Sequence, residues 1–129
     1  MTLAAEGLDR LTDRSLGALL AAPRAALILT RSSCRPCGAY QEELAVLLGQ
    51  GELAGLAVGT LVLDRPGAAR FKRDNPWLGG LRYLPYTVLY RRGKQVDAFA
   101  ASRGAYLLER VEAAFGAGAG AAPRPQPLA

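Results

Sequence analysis

Two cysteines, Cys34 and Cys37, are the residues of this chain best suited to covalent chemistry, and the sequence contains no others. They are separated by two residues and directly follow a short apolar segment, residues 25–29, which is typical of a buried strand. If a helix begins at this pair, its unpaired backbone N–H groups and its dipole favour a thiolate on the first sulfur. We therefore interpret Cys34 as a nucleophile, and Cys37, one turn later, as the thiol that attacks the resulting mixed disulfide.

Two other roles are conceivable for the cysteine pair. Structural zinc usually takes four Cys or His ligands, and the sequence has no histidine and no third cysteine, so a metal site within one chain is not expected. The pair could instead be two small buried residues, because free cysteine often packs as a modest hydrophobe. The predicted context, a strand followed by a helix, favours redox chemistry over this alternative.

The composition is that of an ordinary globular protein. The chain has 129 residues, of which 50% are hydrophobic and 21% charged, so we expect one soluble, monomeric domain. No apolar segment approaches the roughly 18 residues of a membrane span, and we find no secretory signal at the N-terminus, so no membrane partner is expected. The default location is the cytoplasm, where a close cysteine pair is more often catalytic or redox-sensing than structural.

The net charge of +5 comes mostly from arginine, with fourteen Arg and two Lys. Basic proteins can bind nucleic acid or acidic partners. However, no helix-turn-helix or aromatic-rich RNA-binding signature accompanies the charge, and the densest cluster, residues 91–94, is typical of a hairpin turn. The sequence therefore predicts a solvated basic surface and no nucleic-acid partner.

The apolar pattern predicts an α/β domain in which two parallel strands are joined by a helix, with an antiparallel hairpin completing a mixed sheet. Residues 1–116 are predicted to form this domain, and residues 117–129, rich in Gly, Ala and Pro, a disordered tail. The predicted elements are, in order, a helix opening at 11–16 with Thr12 or Asp13 as N-cap, a central strand at 25–30, a helix from the cysteines to 49–51, a strand at 56–63, a short helix after Pro66, a loop at 75–80, strands at 86–90 and 96–100, and a helix capped by Ser102 that ends at Gly116.

This order of elements and three local motifs resemble the thioredoxin family over about residues 11–115. The resemblance implies a thioredoxin-like fold, a central mixed β-sheet flanked by helices, with a cis Leu84–Pro85 bond beside the cysteines that shapes a site for a substrate chain. An ordinary trans proline at the start of a strand remains the alternative. The motifs are the opening segment Leu11-Thr12-Asp13 with Ser15, the Cys34-Arg35-Pro36-Cys37 sequence, and Leu84 to Tyr90 followed by Arg92-Gly93-Lys94.

The function implied by the resemblance is thiol-disulfide exchange with protein disulfides, without a cofactor or a metal. Its partners would be protein disulfide substrates and a dithiol electron donor or reductase. The alternative is a redox-sensing or protein-binding module on the same scaffold, without turnover. The implied site residues are Cys34 and Cys37 as the catalytic pair, Arg35 and Pro36 as the groups that tune the Cys34 pKa, and Leu84 and Pro85 as the substrate-binding residues.

The chain also departs from the family pattern. Ser33 replaces the tryptophan before the first cysteine, and Arg35 replaces a glycine, which is expected to lower the Cys34 pKa. Ile28 occupies the position of a buried acidic residue that is thought to take the proton from the second cysteine, so slow resolution of mixed disulfides is expected. Asp64 also aligns with a family acid, at a strand end, and is not assigned this role.

Two aromatic residues follow in a segment that lengthens the chain relative to a minimal thioredoxin. Trp77 and Tyr83 lie in the segment from Asn75 to Tyr83. They could border a substrate groove or cover the core, and the sequence favours neither alternative.

Overall fold

The continuous apolar segment Ala25–Thr30 forms the middle strand of a five-stranded mixed sheet, as its sequence predicts. The computed structural model describes residues 8–116. Its strands are β1 (Asp9–Leu11), β2 (Ala25–Thr30), β3 (Ala57–Val62), β4 (Tyr86–Arg91) and β5 (Lys94–Ala100), and its helices are α1 (Leu16–Leu20), α2 (Arg35–Gly49), α3 (Ala69–Asp74) and α4 (Gly104–Phe115), with 3-10 turns at Pro66–Ala68 and Pro76–Gly80.

The strand order is β1-β3-β2-β4-β5. Strand β2 runs parallel to β3 and antiparallel to β4, and β4 forms an antiparallel hairpin with β5. The predicted βαβ crossover through α2 is therefore confirmed, as are the hairpin and the mixed sheet. Strand β2 lies in the middle of the sheet and is paired on both sides, so the loop that follows it begins from a strand held by two neighbours.

Alternate side chains of β2 enter two different cores. Ile28 packs in the core beneath α2 and α4, whereas Leu27 and Leu29 pack in the core beneath α1 and α3. All three side chains are fully buried. Helices therefore cover both faces of the strand that leads to the cysteines, which holds the start of α2 at a fixed place on the sheet.

The prediction that a helix opens at residues 11–16 is wrong. Leu11 lies instead in β1, which pairs in parallel with β3 and places Leu11 beside Leu61. Helix α1 begins only at Leu16, with Ser15 as its N-cap residue. The three-residue strand is too short to produce an alternating pattern, and its burial comes from a partner about fifty residues away in sequence.

Asp13 caps a helix, but not the one predicted. Its carboxylate accepts hydrogen bonds from the backbone N–H groups of Arg70 and Phe71, at 2.8 and 3.0 Å. Both N–H groups belong to the first turn of α3, where they have no partner within the helix. Asp13 thus fixes the start of α3 from a distant part of the chain, which an N-cap pattern in the local sequence cannot reveal.

Two further boundaries differ from the prediction. The segment expected to be a loop at 75–80 contains the 3-10 turn Pro76–Gly80. Ser102 is exposed and does not cap α4, whose N-cap residue is Arg103. Instead, the backbone N–H of Gly104 donates to Glu43 Oε1 at 2.6 Å, so a side chain of α2 satisfies the first turn of α4.

The tail predicted at residues 117–129 lies outside the described residues. Within residues 8–116, no helix combines the length and the hydropathy needed to cross a bilayer.

Candidate active site

Cys34 is the N-cap residue of α2. The backbone N–H of Cys37 donates a hydrogen bond to Cys34 Sγ at 3.2 Å, so the Cys34 side chain accepts the bond that an N-cap side chain typically accepts. Pro36 fits in the first turn because it lacks an N–H group that would need a partner there. The start of α2 therefore directs an amide proton at the Cys34 sulfur, an arrangement that stabilises a negative charge on that sulfur in the reduced state.

Cys34 and Cys37 form a disulfide, with their Cα atoms 5.2 Å apart. Cys34 is partly exposed, whereas the side chain of Cys37 is only 1% exposed and packs against the interior. A reagent in solution therefore reaches the Cys34 sulfur first. Among residues 8–116, no group of three or more His, Cys, Asp or Glu side chains is arranged to hold a metal ion.

The carboxylate of Asp64 fixes the loop that leads from β2 to Cys34. Asp64 accepts hydrogen bonds from the backbone N–H and the hydroxyl of Ser32, at 2.9 and 3.1 Å. The backbone hydrogen bond from Ser32 is the main reason why the pKa of Asp64 lies below its ordinary value. Ser33, the next residue, has a φ of 59°, so the loop turns sharply just before Cys34.

Sequence reasoning missed this role of Asp64. The signal that could have revealed it is position: Asp64 and Ser32 follow β3 and β2, which are parallel neighbours. The carboxyl ends of parallel neighbouring strands meet at one edge of the sheet, so residues just beyond them lie close together. Asp64 is therefore placed to hold the loop, on the solvent side of the site.

The groups around Ile28 are neutral. Ile28 is fully buried and lies in register with Thr60 on one neighbouring strand and Thr87 on the other. The Thr87 hydroxyl forms a hydrogen bond with the Tyr40 hydroxyl at 3.1 Å, and burial raises the pKa of Tyr40 to about 12. Tyr40 therefore stays protonated at neutral pH, so none of these four side chains supplies a ready base beneath α2.

Four of the six site residues predicted from the sequence line one groove. This groove, which we call the Tyr83 groove, has a volume of about 370 Å³ and lies between the start of α2 and the segment before β4. Pro85 is buried next to it, and the Leu84–Pro85 peptide bond is cis. Cys37 lies behind Cys34 in the interior. The four lining residues are Cys34, Arg35, Pro36 and Leu84.

The two aromatic residues that the sequence left undecided have different positions. Tyr83 is 71% exposed and lines the Tyr83 groove. Trp77 does not line it: its ring packs at 6.0 Å from that of Tyr86, and its indole N–H donates to Asn75. Tyr83 thus borders the groove that also contains Cys34, whereas Trp77 covers the start of β4.

The architecture can be compared with known proteins. No protein-family model matches the chain, and no curated protein matches it. Among solved structures, thioredoxin f2 from Chlamydomonas reinhardtii is 17% identical with a TM-score of 0.66, and the alignment covers 81% of this chain and 94% of that one. Mitochondrial thioredoxin 3 from Saccharomyces cerevisiae is 14% identical with a TM-score of 0.66, covering 84% and 97%. Thioredoxin F from spinach chloroplast is 18% identical with a TM-score of 0.64, covering 87% and 90%. Since these alignments span nearly the whole length of each solved chain, the protein has the thioredoxin fold.

Proposed function

We propose that the protein is a thiol-disulfide oxidoreductase that exchanges a Cys34/Cys37 dithiol for the disulfides of other proteins. One observation carries the proposal: a partly exposed sulfur accepts an N–H at the start of a helix, and a buried sulfur one turn behind is already bonded to it. In this proposal the first sulfur attacks and the second resolves. The thioredoxin fold supports the same activity.

The reaction balances within the cysteine pair. The Cys34 thiolate attacks one sulfur of the substrate disulfide, the substrate S–S bond breaks, and the leaving sulfur departs as a thiolate that takes up a proton. Cys37 then loses its proton and attacks the Cys34 sulfur of the mixed disulfide, which releases the second substrate thiol. Two electrons pass to the substrate, and a dithiol donor or a reductase must return them to the Cys34–Cys37 disulfide.

The remaining predicted residues support these two steps. Arg35 and Pro36 tune the pKa of Cys34, because a guanidinium and a helix start both favour the thiolate. Leu84 and Pro85 hold the substrate chain beside Cys34, as the position of Leu84 in the Tyr83 groove supports. Thiols carry both electrons, so the reaction requires neither an organic cofactor nor a metal. We further propose that the protein works as a monomer in a reducing cytoplasm, without nucleic-acid or membrane partners.

A second candidate function, a redox switch without turnover, is favoured by Ile28. If Cys37 loses its proton slowly because the buried position 28 has no carboxylate, mixed disulfides persist and the pair can act as a sensor. The rate of resolution separates the two functions: an enzyme completes both steps repeatedly, whereas a switch stops after the first.

The assignment of roles is tested by trapping a mixed disulfide. The reduced Cys37→Ser variant is mixed with a peptide that contains one disulfide, and the products are weighed by mass spectrometry. A stable adduct on Cys34 is expected, because the resolving thiol is missing. The Cys34→Ser variant is the matched control and should form no adduct over the same time. An adduct on Cys37 in this control, or none in either variant, would contradict the proposal.

A further inference from the structure

The arginines near Cys34 have no role in the reaction steps described above, except for Arg35. Arg31, Arg35 and Arg82 all line the Tyr83 groove. A second groove of about 560 Å³, which we call the Ser32 groove, contains Arg31 again, together with Arg10 and Arg65. Five arginines therefore line the two grooves on either side of the loop before Cys34.

Within the described part of the chain, no carboxylate lines either groove. The lining residues among positions 8–116 include five arginines and neither Asp nor Glu. Two acids adjoin groove arginines in sequence, Asp9 next to Arg10 and Asp64 next to Arg65. Asp64 is bound to Ser32 and also interacts electrostatically with Arg65, whose Nε donates to the Ser32 hydroxyl at 3.1 Å. Both grooves are therefore electropositive, and a positive groove attracts negatively charged groups.

The arginines of the Tyr83 groove differ from Arg91 and Arg110, two arginines outside the grooves that have partners within the described chain. Arg110 pairs with Asp97 at 2.6 Å, and Arg91 donates to the carbonyl of Ala114 at 2.9 Å. By contrast, the guanidinium groups of the Tyr83 groove form no hydrogen bond or ion pair with any of residues 8–116, although Arg31, Arg35 and Arg82 are all exposed. Their donors are available to an incoming partner.

We propose that the two grooves bind an acidic polypeptide segment, so that the preferred substrates carry Asp or Glu beside the disulfide that Cys34 attacks. This inference rests on the proposed function and names its substrate class. The grooves share Arg31 and Ser33, so one extended chain can occupy both while it passes the neighbouring Cys34. A second copy of this chain is a poor occupant, because its own net charge is +5.

The proposed binding relies on charge interactions of solvent-exposed arginines. This determines how strongly the rate constant should depend on the charge of the substrate and on the salt concentration. One exposed ion pair changes a rate or binding constant by about 1.5- to 5-fold, and several pairs around one site act together. At about 0.5 M salt the Debye length falls to roughly 4 Å, so most of the preference should disappear.

The test uses three disulfide peptides that are identical except for Glu, Gln or Lys on both sides of one cysteine. Fully reduced protein is mixed with each peptide and the reaction is quenched with acid. Mass spectrometry then gives the second-order rate constant for the loss of reduced protein, which reports the attack by Cys34 even if Cys37 resolves the mixed disulfide slowly. No electron donor is needed, because one dithiol reduces one peptide. At about 0.02 M salt, we expect the Glu peptide to react roughly 10-fold faster than the Lys peptide, with the Gln peptide between them.

Charge reversal locates the effect. Arg31→Glu and Arg82→Glu should each lower the ratio of Glu-peptide to Lys-peptide rate constants by about 3- to 5-fold. Lys94→Glu changes the net charge equally. Lys94 is the first residue of β5 and pairs with Arg91, at the end of β4 that is remote from Pro85, so the ratio for this variant should match that of the native protein. Measuring a ratio removes any general loss of reactivity caused by a variant.

Three results would overturn the inference without overturning the proposed function. If the native protein reacted with the Glu, Gln and Lys peptides at equal rate constants, the grooves would not distinguish acidic from basic substrates, although the proposed function would stand. An equal loss of the ratio in Lys94→Glu would show that only net charge matters. Stronger protection of Cys34 from alkylation by a single-stranded oligonucleotide than by the Glu peptide, at equal charge, would assign the grooves to nucleic acid. No reaction with any peptide would instead refute the proposed function, and the inference with it.

Discussion

Replacing Ile28 by aspartate should speed the resolving step while weakening the fold. Ile28 is fully buried beneath α2, and its neighbours in register, Thr60 and Thr87, carry hydroxyls that can bond to a carboxyl group. Burial would raise the pKa of the new carboxyl above the ordinary ~3.9, which brings it closer to the range of an effective base at neutral pH.

The cost follows from the burial of position 28. Removing the isoleucine side chain loses about 1.5–3 kcal/mol of apolar burial, and a partly satisfied buried carboxyl adds about 1–3 kcal/mol. We therefore expect the free energy of unfolding to fall by about 2.5–6 kcal/mol near pH 5. The new carboxyl binds its proton more tightly in the folded state, so the loss should grow as the pH rises from about 4 through its folded pKa. Urea unfolding at several pH values measures both effects.

The resolving step can be timed with Ellman's reagent. Attack by Cys34 releases one thionitrobenzoate, and attack by Cys37 on the mixed disulfide releases a second. The second phase should be at least about 10-fold faster in Ile28→Asp than in the native protein, because general-base assistance contributes about 10²–10⁴-fold when well placed. Ile28→Asn is the matched control, since it has a similar size and no base. Equal second-phase rates in Ile28→Asp and Ile28→Asn would refute this reasoning.

Three further predictions concern the surroundings of the site. Arg35→Gln should raise the pKa of the nucleophilic cysteine and make the couple more reducing, as measured by the pH profile of alkylation and by equilibration with glutathione; unchanged values would show that the guanidinium does not act on the sulfur. The stabilisation from the Asp64 hydrogen bond to Ser32 is present above the ordinary Asp pKa of ~3.9 and is lost as the pH falls through the lower folded pKa of Asp64; the amide resonance of Ser32 should titrate in that range, and a shift that persists in Asp64→Asn would contradict this assignment. Gly104→Ala should lower the free energy of unfolding by about 1–3 kcal/mol, because a Cβ there would lie 2.7 Å from a leucine of α2, whereas Gly38→Ala, with open space around its Cβ, should be neutral or stabilising; equal effects of the two substitutions would exclude a steric role for the glycine.

The sequence predicts those parts of the fold that local patterns encode. The uninterrupted apolar segment 25–30 indicates a strand covered on both faces, and the structure buries every residue of it. The hairpin follows from Arg92 and Gly93, which adopt φ values of 50° and 84° between two strands. The Cys34–Cys37 spacing places one sulfur at the helix start and the other one turn behind, in the interior.

The features that the sequence did not reveal depend on distant partners. Asp13 caps α3 by binding Arg70 and Phe71, which follow it by 57 and 58 positions in the sequence. Asp64 binds Ser32, which precedes it by 32 positions. Strand β1 is recognisable only through its pairing with β3. In the sequence, Asp13 resembles a local helix cap and Asp64 a residue at a strand end. Only the folded chain shows which backbone N–H groups these two carboxylates bind.

The most direct test of the central claim is turnover of a protein disulfide with dithiothreitol as the electron donor. Reduction of the substrate should proceed several-fold faster with catalytic amounts of the native protein than with dithiothreitol alone. Cys34→Ser should be no faster than the donor alone, because the attacking sulfur is gone. Cys37→Ser should be slower than the native protein, because each mixed disulfide on Cys34 must wait for dithiothreitol to cleave it. A native rate equal to that of dithiothreitol alone, or full turnover by Cys34→Ser, would contradict the assignment of this pair as a thiol-disulfide exchange centre.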